Sequence, residues 1–592
     1  MHGIIAHHGH ATDLFRSACE TARSLGGSVE VVVDSPTVRL AVIGRGNVVA
    51  STPDAVFYGS AAASTARHPR SAATLLDGAA DDVVAAGVAD GELVLAAGRG
   101  NHRLFVTTTP QGDTLASSSL LTVARASSAD IDRSYEDFLL GFGFLPGTRT
   151  PFTGIQALVG GERRVGPRTE TVAPLVVTPN VPTSFSAAVP ELRDLFFTAL
   201  EEYAAGSTRH AVLLGGFDSM LVAAALRSMG HEVHTYTFSF GNPRYEQRNV
   251  ASFVSSLGIT HHPVSFTPRI IADNLATFGR FFFQPGAQAH YQIHTQVASR
   301  QIATDGHTSI FNGDGCDAVF LSYPTVNRRA ALTRRLSHAP DWMLAAALAP
   351  LRTRSAERHL GHVARTARSM LGNLMLDEPM RGHLPTRYLD DSALSLLRRN
   401  PQPAQAETID AIRARLAEAV RGQDGPRRAF HGNGLTAQSK VKVDGSVAVS
   451  GVPQFTPYLH PAFRAFVSGL PIDYLKKQDE SPAANGKELL VAMVRHYDLL
   501  PESIISQPKQ SPVDSPIDEW YANDIRAEIV TQLADLPFSW SPNYVDDVLR
   551  PKHAEEWYRN KVSIGHHALQ VIGLLASYAS FNRALFDRAL SQ

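Results

Sequence analysis

The chain reads as an α/β protein of two domains, a β-rich front part and a back part built on a parallel sheet. Three observations predict this. Short apolar runs separated by turn residues fill the first 165 positions. A stretch rich in Pro, Thr and Val follows at 166–190, carrying Pro174, Pro179, Pro182 and Pro190, which suits an extended connection. From about residue 190 strand-like and helix-like periods alternate, and such alternation implies parallel strands with helices between them. The expected organisation is a domain over 1–165, a linker over 166–190 and a second domain over 191–592.

In the front part, Val29–Val33, Val38–Ile43, Ala55–Tyr58, Leu93–Ala97, Leu104–Thr107 and Leu120–Val123 read as extended segments, because Gly, Asn, Asp and Pro punctuate the chain between them. The back part opens with a helical stretch, Glu191–Tyr203. An apolar strand His210–Leu214, a glycine turn, a helix Ser219–Ser228 and a strand Val233–Phe238 follow. Parallel sheets bind ligands beyond the carboxyl ends of their strands, so motifs placed there carry the most weight. After residue 330 helical patterns dominate. The Arg-rich section Arg328–Arg368 reads as a solvated helical face, or alternatively as a grip for an acidic peptide or carrier protein.

Composition narrows the function classes. With 592 residues the chain can bury large cores without disulfide or metal staples. Its 55 basic and 56 acidic side chains leave a formal charge of -1, so it presents no overall field for nucleic acid or an acidic membrane. Cys19 and Cys316 are too few and too far apart for a disulfide framework or a thiolate zinc site, and fit a reducing, cytoplasmic setting. The first residues lack a basic region followed by an apolar one, and no apolar run approaches the ~18 residues of a membrane span. His7, His8 and His10, without a paired acidic ligand, read as ordinary surface or core residues, and His261 and His262 as structural.

Three short segments carry chemistry. In Leu214-Gly215-Gly216-Phe217-Asp218-Ser219 two glycines, an acid and a hydroxyl stand where an apolar strand meets a helix. Glycines let the backbone approach an anion, first-turn N–H groups face it, and Asp218 can hold the magnesium that bridges phosphate oxygens. A second acidic turn, Asn312-Gly313-Asp314-Gly315-Cys316-Asp317, follows the short run Ser309–Phe311, and its spacing suits a second metal carboxylate. In Pro508-Lys509-Gln510-Ser511-Pro512 a lysine is stiffly presented between prolines. No G-x-x-x-x-G-K-[ST] element is present, which excludes an ordinary P-loop.

Taken in order, these segments resemble the asparagine synthetase family, whose synthetase half carries SGG-hydrophobic-DS, GDGGDE-like and RPK-like stretches. Thr237, Phe238 and Ser239 lie in a strand similar to the family's adenine-side strand. Pro457-Tyr458-Leu459-His460 is similar to its PFLD stretch, and Gly486-Lys487-Glu488-Leu489-Leu490 to its lysine-bearing helix. Arg99-Gly100-Asn101 and Phe142–Thr150 resemble the end of its N-terminal domain. The resemblance implies a glutaminase-like αββα front domain of the Ntn-hydrolase type and a back domain of the PP-loop, ATP-pyrophosphatase type with a helical C-terminal part. It implies ATP and Mg2+, with Leu214, Gly215, Gly216, Asp218, Ser219, Thr237, Phe238, Ser239 and Gly313 around the nucleotide and Asp218 and Asp317 on the metal. Lys509, Lys487 and Asp314 are its implied catalytic residues.

Departures from the family pattern shape the expected activity. His2 stands where glutamine-hydrolysing members expose a cysteine, and no stretch resembles the family's NGEIYN. Leu214 replaces a serine, Cys316 a glycine and Ala318 an acid, and the family's glutamate falls near Pro453. A synthetase without a glutaminase resembles the β-lactam synthetases and lasso-peptide cyclases, although the former carry a tyrosine at the position of Asp314. The expectation is an AMP-forming amide synthetase of natural-product biosynthesis. Its partners would be a carboxylate substrate (a peptide or small acid), an amine and potentially a precursor peptide or carrier protein, with homo-oligomers allowed. Two alternatives remain: an ammonia-dependent asparagine synthetase, and a non-catalytic nucleotide-binding scaffold.

Overall fold

The structure is a computed structural model. It describes residues 1–60, 83–98, 102–132, 136, 139–140, 148–158, 161–166, 168–171, 182, 184–242, 250–282, 285–286, 289–322, 339–351, 438–475, 487–506, 516–536, 540 and 566–586. Among the described residues the front part forms two antiparallel sheets. The first sheet, in spatial order, is β10 (Ile155–Leu158), β8 (Leu104–Thr108), β9 (Thr114–Ser117), β1 (Gly3–His8), β3 (Val38–Ile43) and β2 (Val29–Asp34). The second is β12 (Arg168–Thr171), β11 (Glu162–Val165), β7 (Glu92–Ala97), β6 (Val84–Ala89), β5 (Ala55–Tyr58) and β4 (Val49–Thr52).

Alternation along the strands explains how these sheets stack. Successive side chains point to opposite faces. Ile4, Ala6, Leu40 and Val42 meet Val56, Tyr58, Val84, Ala86, Leu93 and Leu95 between the two sheets. Ile5, Ala41 and Ile43, on the other face of the first sheet, pack in one core with Phe15, Ala18 and Ala22 of the helix Thr12–Ser24 and with Leu121 and Ala124. Burial on both faces is why β1 and β3 read as nearly continuous apolar runs.

One expected strand is a helix. Leu120–Val123 begins the helix Leu120–Ala126, because the Ser119 side chain caps it by accepting from the Thr122 N–H. The apolar letters fit either conformation, and the cap decides. Within the stretch read as a linker, β12 occupies Arg168–Thr171. The following helix starts at Phe185, earlier than expected, where the Ser184 hydroxyl accepts from Ala187 N–H.

The back part is built on a five-stranded parallel sheet in the order β15 (Thr260–Ser265), β14 (Glu232–Ser239), β13 (Arg209–Leu213), β16 (Ile310–Phe311) and β17 (Gln454–Phe455). The chain leaves β13 into the helix Phe217–Ser228 and returns in β14, whereas β16 joins the other side of β13 much later. Strand order therefore reverses at β13, and the crevice beyond its carboxyl end, between β13 and β16, is where such a sheet places a ligand. His261 and His262 lie in β15. Among the described residues no helix is long and apolar enough to cross a membrane.

Candidate active site

Both acidic turns open at that crevice. Beyond β13, Gly216 takes φ 142°, a conformation suited to glycine, and ends the turn at the start of the helix Phe217–Ser228. A side-chain carbon placed on Gly215 or Gly216 would meet nothing within 4 Å, so the turn faces open space. Asp218 and Ser219 stand in the helix's first turn. The Ser219 hydroxyl accepts from Gly215 N–H at 2.7 Å and donates to Gly216 O at 3.1 Å. Leu214 is buried, and its N–H donates to Tyr236 O of β14, so it ties the turn to the sheet.

The second turn leaves β16. Gly315, at φ 82°, precedes the short helix Cys316–Val319, with Asp317 in its first turn. Gly313 is the point of closest approach: a Cβ there would lie 2.7 Å from the Ser219 nitrogen and 2.8 Å from the Asp218 Cβ. Without a side chain at 313 the two turns can touch. Phe311 and Tyr458 belong to the apolar core behind them, and the Tyr458 hydroxyl donates to the Asp218 carbonyl at 2.9 Å.

Asp218 and Asp317, far apart in sequence, converge on one cation. That cation is the ammonium of Lys487, which lies 2.6 Å from Asp218 Oδ1, 2.8 Å from Asp218 Oδ2 and 2.7 Å from Asp317 Oδ1. Lys487 precedes the helix Glu488–His496 with φ 81°, so the backbone adopts a left-handed conformation to deliver it. Burial opposes the charge of Lys487. Asp218 and Asp317 outweigh it and hold its pKa well above the ordinary lysine range. The Cys316 thiol is pushed well up by burial and then by Asp218, so it stays protonated and inert as a nucleophile.

The third acid in the turns has its own cation. Lys442, on the helix Gln438–Ser450, donates to Asp314 Oδ1 at 2.6 Å and stands as close to Oδ2. Its ammonium lies 4.6 Å from the centre of the Tyr291 ring, and the Asp314 N–H is held by Asn312 Oδ1. Burial again works against the charge, but Asp314 and Tyr291 raise the Lys442 pKa. Sequence reasoning missed Lys442. It sits in Val441-Lys442-Val443-Asp444, where no spacing marks a lysine as buried.

The other expected residues are placed as follows. Thr237, Phe238 and Ser239 form the carboxyl end of β14, beside the glycine turn. The Thr237 hydroxyl meets His261 Nε2 at 3.1 Å, and the Phe238 ring packs on Phe266 and His294. Those two side chains consolidate the strand end. Lys509, Arg99, Gly100, Asn101 and Phe142–Gly147 lie outside the described residues, as does most of the Arg-rich section.

The arrangement suits a polyphosphate. Open-faced glycines at a helix N-terminus present N–H groups to an anion. The paired carboxylates supply hard oxygen ligands for a divalent cation, which typically completes its shell with phosphate oxygens and water. Among the described residues no group of three or more His, Cys, Asp or Glu side chains forms a metal cage. A family model described as asparagine synthase matches residues 191–580, taking in both acidic turns, Lys442, Lys487 and Lys509. No curated protein matches the chain.

Proposed function

The chain belongs to the asparagine synthase family, and from that premise we propose that it is an AMP-forming amide synthetase that works without hydrolysing glutamine, in natural-product biosynthesis. Membership carries the coarser statement, ATP-dependent ligation of C–N bonds. The observation that carries the site is the convergence of Asp218 and Asp317 on one cation beside the open Gly215–Gly216 turn.

In this reading Gly215, Gly216 and Ser219 would hold the nucleotide's phosphates, and Gly313 and the β14 end at Thr237, Phe238 and Ser239 would meet the nucleotide. Asp218 and Asp317 would hold magnesium, with Lys487 as the neighbouring cation. Magnesium, when bound, neutralises phosphate charge as pyrophosphate departs. The substrate carboxylate oxygen bonds to the α-phosphorus as the bond to pyrophosphate breaks. The amine then bonds to the acyl carbon, AMP leaves, and one amine proton is lost. Lys509 and Lys487 stabilise the departing pyrophosphate and the oxyanion at the acyl carbon. Asp314, in its pair with Lys442, is the remaining implied catalytic residue.

The front part supports the loss of glutamine hydrolysis. In this reading it is the family's glutaminase-like domain, of the Ntn-hydrolase type, without its nucleophile. The backbone N–H of His2 donates to Ala448 O at 2.9 Å and its ring Nδ1 lies 3.1 Å from the same oxygen, so His2 serves as a tie to the back part. The nitrogen source is then an amine borne by a substrate, as in lasso-peptide and β-lactam closure, and the carboxylate belongs to a peptide or small acid.

ATP–pyrophosphate exchange across a panel of peptide and small biosynthetic acids tests this. Exchange that depends on one acid, vanishes in Asp218→Ala and proceeds without glutamine breakdown is the expected result. Asparagine formed from aspartate, ATP and ammonium would replace this reading with the ammonia-dependent one. No exchange with any acid would remove the ligase reading.

A further inference from the structure

The helix Gln438–Ser450 faces two ways. Lys442 reaches Asp314 in the back part, while Asp444, two residues on, is buried against the front part. There Asp444 Oδ1 lies 2.6 Å from His102 Nδ1, and the Tyr58 hydroxyl donates to the same Asp444 oxygen at 3.3 Å. The Ser60 N–H donates to His102 Nε2 at 3.2 Å, so Nε2 is the acceptor and the ring proton sits on Nδ1, pointing at Asp444. Ser60 also bonds β17: its hydroxyl donates to Gln454 O at 2.9 Å and accepts from Gln454 N–H at 3.1 Å.

Both anchors lie one step from Asp314. Gln454 pairs with Ile310 of β16, and Asn312, the next residue beyond that strand, donates its N–H to Phe455 O. Asn312 in turn holds the Asp314 N–H. Thus Ser60 braces the strand pair that launches the acidic turn, and His102 braces the helix that brings Lys442 to it. All of these front-part groups are buried, where an unmet hydrogen bond is costly, so their geometry is tightly specified.

We propose that the front half acts as a positioning device for the Lys442–Asp314 pair, with His102 and Ser60 as the positioning residues. The structural part of this is independent of the ligase reading, which is needed only for what the pair does to substrate.

Reductive methylation of the full chain, with each lysine's modification read by mass spectrometry, tests the proposal without any substrate. In His102→Leu, Lys442 is expected to react about tenfold faster than in the unsubstituted protein, while Lys487 is unchanged. His102→Asn, whose side-chain N–H falls where the ring Nδ1–H was, is expected to restore protection. The proposal is overturned if Lys442 stays protected in His102→Leu, if Lys442 and Lys487 become reactive together, or if the Asn variant restores nothing. Should His102→Leu not fold, Ser60→Ala is read in the same way, and an unchanged Lys442 there overturns the proposal too. A negative exchange assay alongside a positive labelling result would discard the ligase reading and leave the positioning role standing.

Discussion

Lys487 shows how one side chain can hold a site open for chemistry. Two carboxylates as close as Asp218 and Asp317 repel each other, and the ammonium between them removes that repulsion. Lys487→Met removes the cation that the two acids share and is expected to destabilise the protein by roughly 3 kcal/mol in urea titration. Millimolar magnesium should recover part of that loss by taking the vacated place, and no recovery would mean that the two acids without Lys487 do not draw a divalent cation there. The two glycines, Asp218, Ser219 and Asp317 were legible in the sequence, because contact with a polyphosphate constrains residue type over a few adjacent positions. Lys442, Asp444 and His102 were not legible. Their meaning comes from partners more than a hundred residues away, as with Asp314 for Lys442 and Asp444 for His102.

The strands of the back sheet carry a group of histidines at their amino ends, away from the candidate site. His210 meets His231 at 3.2 Å, His234 meets His262 at 3.0 Å, and the His307 ring packs on His234. Arg209, Glu232, Tyr236, Asp305 and His261 are further titratable groups there. Burial, with neighbouring cationic groups, lowers His210 and His307 to about 4. These imidazoles bind protons more tightly in the unfolded chain, so their contribution to stability is complete above about pH 6.5 and is lost as pH falls toward 4. The melting temperature should drop by a few degrees between pH 7 and 5, and His307→Gln should flatten that slope. A slope unchanged by the substitution would place the acid sensitivity elsewhere. Elements rich in β-branched residues, such as Val38–Ile43, were legible as strands. Leu120–Val123 was not legible as a helix, because its start depends on one capping serine. Ser119→Ala should accordingly cost about 1 kcal/mol by chemical denaturation.

At the scale of the molecule, front and back share one apolar core. Phe15, Phe105 and Leu121 of the front belong to the same cluster as Leu275, Ile302 and Tyr578 of the back, and Phe152 stacks on Phe581 with ring centres 5.8 Å apart. The Tyr578 hydroxyl reaches across to Glu136 at 3.0 Å. Domains joined this way are expected to unfold together. Calorimetry should show a single transition, and two resolved transitions would contradict the shared core. The division into a β-rich front and a parallel-sheet back was legible from periodicity. The continuity between them was not, since an apolar residue reads alike whether it meets its own half or the other.

The Ser219 hydroxyl, closed onto Gly215 and Gly216, also bears on which solutes can compete at the glycine turn. An incoming anion that takes the Gly215 N–H has to exchange an internal bond for a new one. Chloride or sulfate at ordinary buffer strength brings no further contacts to offset that exchange. The protein is therefore expected to work undisturbed in such salts, and to yield its turn only to a guest that also engages the neighbouring acids through a cation.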